Sequence, residues 1–228
     1  MYPTVIIPSM NPILCEKARA FIPADWPVIT KDGNPLTHFD DLRKLNISTR
    51  WAINLDEDCF LMDPDGVLRL IQLMEEKDYQ TAGIQDGSSY ARQHNPVIFN
   101  PFFFIFNVAA VQAAPKRDGD IVSTSEAYRH LVRFTDAPYA FDNFEPYYRF
   151  FLDLLQAGCK PLFLANHAYE AFDERGYNLC KPSIVRGEDG GELAIHAWYS
   201  RLYHEPVVQD RIAVCENYAN AHLVRNQG

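Results

Sequence analysis

Basic charge is scarce in this 228-residue sequence: 21 Lys and Arg stand against 30 Asp and Glu, for a net charge of −9. That balance excludes broad binding to nucleic acid or to an anionic membrane through the overall field. A local contact with a membrane surface stays open. Cysteine is also sparse. Cys15, Cys59, Cys159, Cys180 and Cys215 form no Cys-x-x-Cys pair and no even framework, so reduced thiols and a cytoplasmic setting are expected. No apolar run is long enough for a transmembrane helix; the longest, PFFFIFNVAAVQAA (101–114), is interrupted by Asn107 and Gln112. The opening MYPTVII carries no basic flank, and its apolar run is broken by Pro8, so no signal peptide is expected. Glycine is absent from PSMNPILC (8–15), where a phosphate-cradling loop would need it. No repeat, low-complexity tract or linker divides the chain, and one domain over 1–228 is expected.

What is present is an alternation. TVIIPSM (4–10) reads as a buried strand stopped by Pro8. NPILCEKARAFI follows as a helix capped by Asn11, with Pro12 in its first position. WPVITKDG (26–33), HFDDLRKLN (38–46), TRWAINLD (49–56) and DPDGVLRLIQLMEEKDY (63–79) continue as strand, helix, strand, helix. Such a pattern predicts an α/β fold with a mostly parallel central sheet flanked by helices. Ligands of such sheets bind beyond the carboxyl ends of the strands, where Pro8, Asp32 and the triplet Asp56-Glu57-Asp58 fall. Farther on, TAGIQDG (81–87), PVIFNPFFFIFNVAAV (96–111) and KPLFLANHAYE (160–170) read as strands. EPYYRFFLDLLQAG (145–158) reads as a helix closed by Gly158. KRDGDIVSTSEA (116–127) reads as a polar connection, and RGEDGGE (186–192) as a mobile loop.

The triplet stands between an apolar strand and the apolar Cys59-Phe60-Leu61. Carboxylates crowded against a low-dielectric core repel one another and persist when a cation compensates them. Asp-x-Asp places two of them on one side of an extended segment, which suits Mg²⁺ or Mn²⁺ bound together with substrate phosphates.

LNISTRWAINLDEDCFLMDPDGVLRLIQLMEEKDY resembles the Asp-x-Asp segment of family-2-like glycosyltransferases of the GT-A fold. FEPYYRFFLDLLQAGCKPLFLANHA resembles their acidic motif with its helix, Ala-Gly and strand, and VIIPSMNP resembles their first strand. The resemblance implies a Rossmann-like GT-A domain. Residues 1–80 would bind nucleotide and metal; residues 81–228 would bind acceptor and supply a C-terminal closing segment. It implies a nucleotide-diphosphate sugar as donor, a glycan or glycolipid as acceptor, and Mn²⁺ or Mg²⁺ as cofactor.

Residue by residue, the resemblance makes Asp58 the direct metal ligand, Asp56 a contact to metal or ribose, and Glu57 a spacer. Pro8, Asp32, Arg43 and Lys44 would lie along the nucleotide. Asp142 or Glu145 would be the base for an inverting reaction; a retaining one would need neither. His196 would complete the metal site, with His167 as the competing choice. Arg201 would meet the diphosphate, Trp198 and Tyr199 would cover sugar or base, and the glycines of 186–192 would let this tail close.

Three other readings stand beside it. A dehalogenase-type phosphatase would use Asp56 as nucleophile, although Cys59-Phe60 departs from that family's pattern. A nucleotidyltransferase would need the glycine loop that PSMNPILC lacks. A non-catalytic nucleotide-sugar-binding protein would keep the pocket without turnover.

Overall fold

The computed structural model describes residues 2–34, 37–87, 92–135, 137–171 and 180–226. Strand β1 (Thr4–Ser9) leads into helix α1 (Pro12–Arg19), whose cap Asn11 accepts hydrogen bonds from the amides of Ile13 and Leu14. β2 (Val28–Asp32) and the short α2 (His38–Leu42) precede β3 (Trp51–Leu55), which is buried throughout. The acidic triplet then turns the chain into β4 (Cys59–Leu61). Helix α3 (Pro64–Glu76) starts on Asp63, which accepts from the Gly66 amide, and β5 (Thr81–Gln85) follows. β6 (Phe99–Asn107) runs directly into α4 (Val108–Ala113), and α5 (Ile121–Ala127) follows. The second half closes with α6 (Tyr148–Gln156), β7 (Pro161–Leu164), β8 (Asn166–Ala168), β9 (Ser183–Arg186), β10 (Glu192–His196) and α7 (Pro206–Asn226).

The fold is α/β, with a six-stranded mixed sheet in the order β2-β1-β3-β6-β5-β7. Five strands share one direction and β6 runs against them. Alternate residues point to opposite faces. Val5, Ile7, Ile53, Phe103 and Ile105 enter one core with α1, α3 and α7. Ile6, Ala52, Phe104 and Phe106 enter another, with Phe39 and Leu42 of α2 and the aromatic face of α6. Both faces are therefore covered, and all five β3 residues are buried as a doubly packed strand requires.

A second sheet, β4-β10-β9-β8, is antiparallel throughout. It is joined to the first through the acidic triplet. α7 packs against β4 and β10, and Lys17 of α1 meets Glu216 of α7 at 2.6 Å.

Several expectations change. β1 continues past Pro8 to Ser9, because pairing with β3 ends at Ile6 and the missing Pro8 N–H faces that open side. The run 96–111 does not stay extended, since Asn107 accepts from the Ala110 amide and starts α4. KPLFLANHAYE splits at Ala165 between the two sheets. KRDGDIVSTSEA holds α5, capped by Asp120 on the Ser123 amide. RGEDGGE is a tight β9–β10 turn, with the Gly187 amide on the Gly191 carbonyl and Asp189 accepting from the Gly191 amide. It joins the two central strands of the second sheet.

Beyond β5, the chain at Gly87 passes so close to the 94–95 backbone that an added Cβ would stand 1.7 Å from the His94 carbonyl oxygen. Backbone on both sides cannot yield cheaply. Gly87→Ala is therefore expected to lower unfolding free energy by about 3 kcal/mol, as forced overpacking does. Urea denaturation checks it; an unchanged midpoint would contradict the packing described.

Candidate functional site

The site begins at the corner between the sheets. The Asp56 amide donates to the Phe102 carbonyl on β6, and the Cys59 amide donates back to the Asp56 carbonyl, closing a turn. The Ala197 amide donates to the Asp58 carbonyl, so β10 lies alongside. Asp58, buried, faces the end of β10, where His196 Nε2 lies 3.0 Å from its Oδ1; Oδ2 accepts from the Ser200 amide at 3.2 Å. Asp56, Asp58 and His196 each turn a ligand-type atom into one space, all within 4.8 Å of one another. The His196 ring is fixed by stacking on Phe102, with centroids 4.1 Å apart and planes 12° apart.

The electrostatics are unbalanced. Burial raises the Asp56 carboxyl, with Asp58 and Glu57 adding to the rise against the opposing pull of His196 and Arg201, to about 7. Burial also pushes Asp58 upward, but His196 and the Ser200 amide outweigh it and hold the group below the ordinary carboxylate value. Two oxygens and an imidazole nitrogen at this spacing fit a hard divalent cation such as Mn²⁺ or Mg²⁺. Asp56 is the group such a charge would ionise.

Glu57 is not a spacer. Its Oε2 accepts from Ser9 Oγ at 2.6 Å, the Asn11 amide at 2.9 Å and the Met10 amide at 3.0 Å. It ties the triplet to the β1–α1 junction.

A cleft of about 470 Å³ opens at this corner, lined by Pro8, Asp56, Asp58, Glu145, His196 and Arg201 among others. A second lobe of about 630 Å³ shares Pro8, Asp56 and Arg201 and extends over Glu57 toward the start of α1. Arg201 is exposed and carries no ion pair among the described residues. Trp198 and Tyr199 line the first lobe, both with φ at +64°, a left-handed backbone that non-glycine residues rarely adopt. Buried Arg211 of α7 holds that segment by donating to the carbonyls of Ala197 and Cys180.

Other expected residues lie elsewhere. Arg43 packs behind the first sheet, 2.9 Å from Asp153, with its guanidinium over Phe150. It faces α6 because α2 lies on that side of the sheet. Lys44 is exposed and outside both lobes. Asp32 ends β2 beside the cleft, but its exposed side chain lines a separate depression with Ser9, Met10 and Lys31. His167 sits on β8, 3.6 Å from Glu192. Asp142 does not line the cleft; its Oδ2 meets His94 Nδ1 at 2.7 Å. Glu145 does line it, held by Arg92 Nη2 at 2.7 Å.

Sequence reasoning missed what stands behind Glu145. Arg92 Nε is 3.1 Å from buried Asp86, which also accepts from Asn100 Nδ2 at 2.8 Å and Tyr148 Oη at 2.5 Å. It missed His38 as well, whose Nε2 lies 2.6 Å from Asn54 Oδ1 at the cleft wall. The signal was Asn54 itself, a polar side chain inside the apolar strand WAINL. Asn54 Nδ2 donates to the Pro101 carbonyl, so Oδ1 faces the histidine and His38 Nε2 is the donor.

No protein-family model matches this sequence, and no curated protein matches it. Among solved structures the chain is similar to one titled as a crystal structure of a glycosyltransferase involved in the glycosylation of the major capsid of PBCV-1. Identity is 12%, the TM-score is 0.35, and the match spans 48% of this chain and 61% of that one. A likeness of that size carries no argument about what this chain does.

Glu57→Ala would leave the Met10 and Asn11 amides without their acceptor and the Ser9 hydroxyl with only the Asn11 carbonyl, at 3.2 Å. Hydrogen bonds to a charged group contribute about 1.5–3 kcal/mol, so a loss of about 3 kcal/mol is expected, with Glu57→Gln losing less. Chemical denaturation of both variants checks it. Equal stability of Glu57→Ala and wild type would contradict the tie.

Proposed function

We propose that this chain is a metal-dependent glycosyltransferase of the GT-A type, moving a sugar from a nucleotide-diphosphate donor to an acceptor hydroxyl. The observation that carries this reading is the convergence of Asp56, Asp58 and His196 in one cleft at the carboxyl end of β3. These residues would hold Mn²⁺ or Mg²⁺. The bound ion would supply positive charge against the diphosphate as it leaves.

The chain's own groups divide the remaining work. Arg201 would contact the diphosphate, whose oxygens match a planar guanidinium. Trp198 and Tyr199 would cover the donor and exclude water. Glu145, oriented by Arg92, is the better candidate of the acidic pair because it lines the cleft. In an inverting transfer the acceptor oxygen attacks the anomeric carbon, the bond from that carbon to the diphosphate oxygen breaks, and the acceptor proton passes to Glu145. The acceptor would be a glycan or glycolipid reaching the first lobe from its Glu145 side. No helix among the described residues is long and apolar enough to cross a membrane.

The phosphatase reading is less well supported. Both lobes lack a lysine among their described lining residues.

The primary test is thermal-shift screening with nucleoside diphosphates and nucleotide-sugars, with and without Mn²⁺. A rise for one nucleotide, seen only with metal and lost in Asp58→Ala, is expected. No rise with any of them overturns the reading. Glu145→Gln should lower the transfer rate about 10²–10⁴-fold with donor binding intact, while Asp142→Asn keeps most of it. Comparable rates in wild type and Glu145→Gln would remove Glu145 as base.

The metal site should also titrate. An acid whose folded-state value is raised favours the protonated fold, so Asp56 disfavours the metal-free fold increasingly as pH climbs from about 4 to 7. A cation must displace that proton below pH 7. Mn²⁺ affinity should therefore rise about tenfold per pH unit toward 7 and flatten above it. Calorimetry between pH 5.5 and 8.5 checks the slope, and a flat profile would contradict it.

A further inference from the structure

A second charged pocket lies behind the cleft. Phe39 and Tyr147, whose ring centroids are 5.4 Å apart, line both, so this aromatic pair forms a common wall. The pocket encloses about 210 Å³ between the α4–α5 connection and the start of α6, and Lys116, Arg117 and Arg149 contribute cations to it.

Arg149 is the anomaly. All three of its guanidinium nitrogens are buried and hydrogen-bond to nothing among the described residues. The nearest carboxylate, Asp153, lies 3.9 Å from Nε and is already engaged by Arg43 at 2.9 Å and by the Arg117 amide at 3.2 Å. Asp40 is taken by Lys116. Asp120 caps α5 and Asp118 is exposed at the rim, which leaves Arg149 without a close counter-ion.

Its position compounds the cost. Arg149 is the second residue of the nine-residue α6, in a first turn that holds no acidic residue. The positive end of a helix dipole repels a cation there. A guanidinium whose nitrogens make no hydrogen bond is expensive to bury, even 3.9 Å from a carboxylate that others share, and arginine's fork matches the oxygens of an anion.

We propose that this pocket is a binding site for a small oxyanion of the phosphate class, held by the guanidinium of Arg149 together with that of Arg117 at its rim. The site is separate from the metal-type cleft and does not depend on the glycosyltransferase reading. The phosphate group comes either from free phosphate or from a lipid phosphomonoester; the enclosed volume fits both headgroup and free ion.

The test uses the full chain in phosphate-free, sulfate-free buffer with EDTA, so that a cation in the cleft plays no part. Inorganic phosphate is titrated by thermal shift and calorimetry into wild type, Arg149→Met and Arg117→Gln. Separately, vesicles of phosphatidylcholine with and without phosphatidic acid are tested for co-sedimentation. Phosphate should raise the wild-type midpoint; binding should weaken at least tenfold in Arg149→Met and less in Arg117→Gln. In the absence of phosphate, Arg149→Met should melt at or above the wild-type temperature, because a guanidinium with no hydrogen-bond partner has been removed. Arg149-dependent capture by phosphatidic acid alone, with no response to inorganic phosphate, supports the site with a lipid source. If neither probe responds to Arg149, or if Arg149→Met melts several degrees lower with its phosphate response intact, the proposal is overturned.

Discussion

The structure turns on the three-residue corner where the chain leaves the central sheet and enters the second. β3 and β4 are apolar and fully buried, yet the link between them is Asp56-Glu57-Asp58. Each carboxylate has a separate fate. Glu57 is consumed by three donors at the β1–α1 junction. Asp58 is held by β10 through His196 and by the Ser200 amide. Only Asp56 has its charge left largely uncompensated, and its carboxyl rises to about 7. One corner thus fastens the two sheets and concentrates negative potential where the cleft opens.

The two walls of the cleft are built differently. On one side, Glu145 and Arg92 rest on Asp86, whose oxygens are occupied by Asn100, Tyr148 and Arg92. A fully partnered polar cluster of this kind fixes side-chain orientation. On the other side, Trp198 and Tyr199 hold consecutive left-handed backbones, which cost about 1 to 3 kcal/mol each. Arg211 in α7 and the β10 ladder hold that segment in place.

The central sheet was legible because its strands are short apolar runs between helices, and the first helix is capped where the sequence puts it, at Asn11. The second sheet was not. β4 and β8 are three residues long, too short for a period, and β4 pairs with a strand more than 130 residues away. α7 was overlooked although Val208, Ile212, Cys215 and Ala219 make one buried stripe at helical spacing, because two of the four are small. Within the site, Asp56 and Asp58 were legible from Asp-x-Asp at a strand end, but His196 was named through family likeness, because local pattern gives no sign that residues 138 apart in sequence meet. Arg43 was misplaced because a basic residue on a short helix reads the same on either face of a sheet. Arg92 and Asp86 were missed because Asp86 stands at the end of a strand beside a glycine, where an acid reads as the start of a turn, and nothing local to Arg92 shows that the two meet.

The corner also constrains how this chain can vary in length. Side chains alternate between faces, so one residue added between Leu55 and Cys59 would invert the facing of β4 against β10. The same insertion would pull Glu57 off the Ser9–Asn11 backbone and move Asp58 away from His196. The β9–β10 turn, bounded by Gly187 and Gly191, joins strands of one sheet and carries ion pairs of partly exposed side chains, Glu188 with Arg133 and Asp189 with Arg69, so added length there leaves both sheets' registers in place. Descendants of this sequence are therefore free to lengthen at the β9–β10 end of the second sheet, while the three acidic positions stay frozen in number as well as in kind.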